Sequence, residues 1–154
     1  MAKMLGTRQS SVVKVVFFVP SWTWTKGVPL PVPYPIIKYS LKAATDVSDD
    51  VRYNKSWAYI KDSNTQKVYL DEVGKAGVLS GVVSKKSEPL VYSDSVFVDG
   101  RNAVRCGDMA WMNNKNTIGF HICEPPTPKP AITDTGKAAE AIAAPEIPSI
   151  GDLF

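Results

Sequence analysis

The chain has 154 residues, room for one domain and an extension, and 44% of them are hydrophobic, which excludes global disorder. Eighteen Lys and Arg stand against 15 Asp and Glu, a net charge of +3 with no basic block, so charge points to neither nucleic acid nor an anionic membrane. Twelve prolines and ten glycines fall between short apolar runs and predict many turns and little long helix.

Residues 1–10 are polar. Ser11 to Val19 is rich in valine and phenylalanine and reads as a buried strand. Its apolar stretch is interrupted by Lys14 and runs into Pro20 without a small-residue cleavage site, so it is not read as a signal peptide. No run approaches the roughly 18 apolar residues of a spanning helix. Next, in VPLPVPYP, Pro29, Pro31, Pro33 and Pro35 alternate with Val28, Leu30, Val32 and Tyr34. Proline lacks the backbone donor and fixes φ, so this run should be extended and away from any sheet centre. It is a candidate partner-binding element through Pro29, Pro31, Pro33, Tyr34 and Pro35.

Val51 to Ile60 reads as a hairpin turning at Asn54-Lys55. Gly74, Gly77 and Gly81 suggest close backbone approach or bends in short strands, and Leu90 to Tyr92 reads as another strand. Ser95 to Arg105 is the clearest hairpin, because Asp99-Gly100 supplies the positive φ angles of a two-residue turn. Superposing the two turns pairs Val51 with Val96, Tyr53 with Val98 and Ala58 with Ala103, which suggests an internal repeat. The composition changes after residue 123. EPPTPKP reads as a linker and TGKAAEAIAA as a helix capped at Asp134 or Thr135 and stopped by Pro145. Ile150, Leu153 and Phe154 make this tail a candidate docking peptide. The division is therefore a body over 1–123 and a linker and tail over 124–154.

Catalysis finds little support. His121 is the single histidine, and no phosphate-binding loop or nucleotide fingerprint is present. The two cysteines, Cys106 and Cys123, are open to pairing, to remaining as thiols, or to sharing a metal. His121 and Cys123, two apart on a strand, point the same way, and Cys106 from a neighbouring strand would complete three ligands for Zn²⁺, with Asp108 as a candidate fourth.

The order of these segments resembles that of PAAR-like proteins. VPLPVPYP is similar to their proline signature and RYNKSWAYIKDS to the hairpin that follows it. AGVLSGVVSKKSEPLVYS is similar to their middle, and NNKNT to their Asn-rich close. VFVDGRNAVRCGD resembles the segment bearing the name-giving tetrapeptide, here Asn102-Ala103-Val104-Arg105, before Gly107-Asp108. The resemblance covers about residues 11–123. It implies an all-β, small conical PAAR-like body of short antiparallel strands and hairpins. It further implies a non-enzymatic protein that caps and sharpens the trimeric spike of a contractile injection apparatus, a type VI secretion system or a phage-like device. One tip would sit on each spike trimer and recruit or carry an effector, with an adaptor or chaperone as a further partner. The protein would be cytoplasmic before firing and then delivered outside or into the target cell. Two other readings are a generic β-barrel protein-binding module and the delivery portion of a secreted toxin. Many family members bind a metal near the point. Two departures bear on that metal: Ala110, Trp111, Met112 and Asn113 stand where the family often has histidines, and SWTWT replaces a cysteine common before the proline run.

Overall fold

The structure is a computed structural model and describes residues 7–10 and 13–123. Twelve short strands and no helix are found among them. The largest sheet has five antiparallel strands in the order β4-β1-β12-β11-β8, namely Ile37–Lys38, Val13–Phe17, Thr117–Cys123, Met109–Met112 and Glu88–Pro89. The valine-rich stretch is thus β1, and it lies between two neighbours. Its inward residues Val13 and Val15 join Ile36, Leu41, Tyr59, Val68, Val104, Ala110 and Met112 in the core. Gly119 of β12 faces β1 where a Cβ would run into the Val16 carbonyl, so only glycine allows the strands this approach.

The second sheet is β3-β2-β7, of Val32–Tyr34, Ser21–Thr25 and Gly74–Gly77. The proline run forms the edge strand β3, where a missing backbone donor costs least. SWTWT forms the central strand β2, a strand beyond those expected from the sequence. Its Ser21 and Thr23 are buried while Trp22 and Trp24 face solvent. The strand expected at Leu90–Tyr92 falls two residues earlier, at β8. There the Leu90 and Val91 amides both donate to the Met109 carbonyl, so regular pairing stops.

Two two-stranded hairpins complete the set, β5–β6 (Arg52–Tyr53, Ser56–Trp57) and β9–β10 (Phe97–Val98, Arg101–Asn102). Both central residues of each turn have positive φ: 47° and 64° at Asn54 and Lys55, 50° and 71° at Asp99 and Gly100. Two-residue turns with this backbone match the twist of the strands they join. Around them the hydrogen bonds repeat at a constant offset. Ser48 N bonds Ala58 O (3.0 Å) as Ser93 N bonds Ala103 O (2.8 Å), and Ala58 N bonds Val51 O (3.0 Å) as Ala103 N bonds Val96 O (2.9 Å). The Ser48 hydroxyl accepts from Val51 N at 2.9 Å, and the Ser93 hydroxyl accepts from Val96 N at 3.0 Å. The internal repeat is therefore structural, with Ser, Val and Ala as its fixed points. The two copies meet where Val104 N donates to Tyr59 O (3.1 Å).

Candidate functional site

The segment SVFVDGRNAVRCGD ends in a turn, not a strand. Asp108 N donates to Arg105 O at 3.0 Å, and Gly107, third in the turn, has φ +86°. The buried Asp108 carboxylate folds back to accept from the Arg105 backbone amide (2.8 Å) and from its Nε (3.1 Å). Arg105 and Asp108 of the resemblance thus lock their own turn. This ion pair is fixed by backbone bonds as well as by charge.

The turn sets the cysteines. Met109 lies opposite Phe120 in the β11–β12 ladder, and the same register carried outward places Cys106 opposite Cys123. The two are joined in a disulfide with Cα atoms 5.6 Å apart. Of the three fates left open by sequence, this is pairing. Cys106 sits in the turn and not on the strand expected for it. His121 lies beside the bridge, fully buried and tilted against the Tyr59 ring at 5.4 Å between centroids. Its Nδ1 is 3.0 Å from the Asp108 carbonyl, which can only accept, so Nδ1 carries the proton. Its Nε2 has no partner among the described residues. Burial therefore holds the imidazole neutral and lowers its pKa from 6.5 to about 4.

Zinc takes thiolates, and these sulfurs are bonded to each other. Among the described residues no group of three His, Cys, Asp or Glu side chains is placed to hold a metal. In this disulfide form Cys106, His121 and Cys123 do not fit the metal they were expected to bind. Asp108, the candidate fourth ligand, is engaged by Arg105.

Of the proline-run residues, Pro29, Pro33 and Pro35 are exposed and Pro31 is half-buried. Tyr34 packs against the core and shares a 2.7 Å hydrogen bond with Thr25, so it belongs to the body more than to a docking face. Pro33 lies opposite Trp22 in the β2–β3 ladder. Trp22 and Trp24 are 48% and 44% exposed on one face of the sheet, and Leu30 and Leu79 are more exposed still. Trp22 and Trp24 lie in SWTWT, the stretch that stands in place of a cysteine common in the family. Alternation of Ser/Thr with Trp over five residues is the sequence signal of a strand with an aromatic outer face. Ile150, Leu153 and Phe154 lie outside the described residues.

A polar hub holds the second sheet to the first. Three consecutive residues of the β11–β12 loop, Asn113, Asn114 and Lys115, have φ of 52°, 55° and 70°. Buried Asn113 donates to Asp71 (2.7 Å) and accepts from Lys85 N (3.1 Å). Buried Asn116 donates to Ser21 Oγ (2.8 Å) and accepts from Leu79 N (2.8 Å). Gly77 packs on Asn116 with no room for a Cβ. NNKNT is thus a structural close, as its Asn-rich composition allows.

No curated protein and no solved structure matches the chain with significance. A family model described as the toxin PAAR-like domain matches residues 15–119, which span the strands from β1 into β12, the proline run, both repeated hairpins and the Arg105–Asp108 turn. The chain belongs to the toxin PAAR-like domain family.

Proposed function

We propose that this protein caps and sharpens the trimeric spike of a contractile injection apparatus, a type VI secretion system or a phage-like device, and recruits or carries an effector with it. Family membership supports the association with such a machine. The observation that carries the capping role is the face of β2 and β3, where Trp22, Trp24 and Pro33 stand out from a sheet whose other side is anchored by Asn116. Large aromatics held on a rigid sheet are the commonest anchors of protein interfaces, and their ordering costs little on binding. The repeated hairpins support the same reading, because a single chain seated on a three-fold base benefits from presenting similar units. The role is mechanical and non-enzymatic. The chain is loaded in the cytoplasm and carried out on firing, with an adaptor or chaperone assisting the cargo.

Binding of the full chain to a purified spike trimer, with and without Trp22→Glu and Trp24→Glu, tests this. Loss of either anchor should weaken binding by tenfold or more, on the order of 1.4 kcal/mol. Unchanged binding of the double variant, with its fold intact by circular dichroism, would refute this face as the seat.

A further inference from the structure

One cleft on the body has a chemistry that the capping role does not use. It measures about 410 Å³ and is lined by Lys38, Tyr39, Ser40, Lys42, Ala43 and Tyr69. Tyr69 is fixed beside β4 by paired backbone bonds with Ile37 (3.1 and 2.8 Å), and its ring lies 5.4 Å from that of Tyr39. The ammonium groups of Lys38 and Lys67 lie 5.6 and 5.2 Å from the Tyr69 centroid. Lys38 is 6% exposed and forms no ion pair among the described residues. Burial, and then the like charge of Lys67, lower its pKa from 10.5. Lys67 reaches its one described carboxylate, Glu72, only at 4.0 Å. The cleft therefore joins two aromatic surfaces to positive charge whose one ion pair among the described residues is Lys67–Glu72 at 4.0 Å, a surface complementary to a carboxylate carried on an apolar stretch of chain.

The chain supplies such a stretch close by. Cys123 pairs with Val13, whose carbonyl accepts from Leu41 N at 3.1 Å, so β12 ends one strand away from the 39–43 wall of the cleft. The sequence continues through residues 124–154, where five Asp and Glu side chains face only Lys129 and Lys137. Within it, Glu146 and Asp152 flank Ile147 and Ile150. We propose that the Lys38–Tyr39–Lys42–Tyr69 cleft is a peptide seat and that its occupant is the chain's own Glu146–Asp152 segment. Read as a proline-rich stretch of about 3 Å per residue followed by a helix of about 1.5 Å per residue, residues 124–145 reach well beyond the roughly 10 Å that the strands between exit and cleft span. At such separations the effective concentration is of order mM, so even a weak site fills from its own chain before a free acidic partner competes.

Zero-length carbodiimide cross-linking of the full chain, mapped by mass spectrometry, tests the assignment. The expected result is Glu146 or Asp152 joined to Lys38 or Lys42 within one chain, at a yield unchanged by dilution. Lys42→Glu should lower that yield by roughly fivefold, as for loss of an exposed ion pair, and Lys42→Glu with Asp152→Lys should restore a link between the exchanged positions. Lys42 is exposed, so its change leaves the fold in place; Tyr39→Ala should lower the yield without altering any charge. Links spread evenly over Lys26, Lys55 and Lys61, or links found only between chains, would overturn the proposal. Either result leaves the spike-capping role untouched.

Discussion

The carboxylate of Asp99, at the tip of the second repeated hairpin, accepts a hydrogen bond from the hydroxyl of Ser48, the first fixed residue of the first copy. The same oxygen accepts from Asp49 N at 3.0 Å and Asp50 N at 3.4 Å. The two copies are therefore latched together by a side chain that the turn itself demanded. Asp before Gly was legible as a turn residue, but its second use was not, because it depends on which loop lies across from it.

This latch has an acid signature. The Ser48 hydroxyl, with the Asp50 and Asp49 amides, holds the Asp99 carboxyl below 3.8. A depressed carboxyl contributes stability above its unfolded value and loses it as pH falls through the folded one. Asp99→Asn should flatten urea-midpoint curves below about pH 4. A variant with the same acid limb as the parent would contradict the latch.

His121 acts at milder pH. Its folded pKa of about 4 lies below the unfolded 6.5, so between these values the unfolded chain binds the extra proton and stability falls as pH falls. The slope should be about 1.4 kcal/mol per pH unit, or roughly 3 kcal/mol across the window. Urea unfolding at pH 7, 6, 5 and 4 measures it. His121→Met should remove the slope, and retention of it would place the titration elsewhere.

The asparagine hub predicts a structural cost. Asn113→Ala strips a donor from buried Asp71 and an acceptor from the Lys85 amide. It should cost on the order of 2–4 kcal/mol, since a hydrogen bond to a charged group is worth about 1.5–3 kcal/mol and a neutral one about 0.5–1.5 kcal/mol, while Asp71 keeps its donors from Ser84. Gly77→Ala should destabilise by pushing Asn116 aside. Thermal unfolding of both variants checks this.

The disulfide closes a loop across a sequence separation of 17. Cys106→Ser should cost about 3 kcal/mol by the chain-entropy estimate. Thiol titration of the oxidised chain in denaturant should find no free thiol. Two free thiols in the chain purified without reductant, with one equivalent of zinc by elemental analysis, would contradict the bridge.

The strands of the core, the edge position of the proline run and the two hairpin turns were legible because they rest on local rules: β-branched runs, the donor that proline lacks, and positive φ at Asn-Lys and Asp-Gly. The repeat was visible at Val51/Val96 and Ala58/Ala103. Ser48/Ser93, its hydrogen-bonding corner, escaped because a serine three residues before a valine carries no periodic signal. The fate of Cys106 and Cys123 turned on register. Spacing showed His121 and Cys123 on one side, but only the turn closed by Arg105 and Asp108 brings Cys106 opposite Cys123. The hub joins Ser21, Asp71, Asn113 and Asn116, residues too far apart in sequence for any motif to link them.

The central claim is one tip on one three-fold spike, and native mass spectrometry of the full chain mixed with its spike protein measures it most directly. The account predicts a complex of one chain with three spike subunits, unchanged by excess chain. Three chains per trimer, or a free chain beside a free trimer at micromolar concentration, would contradict it.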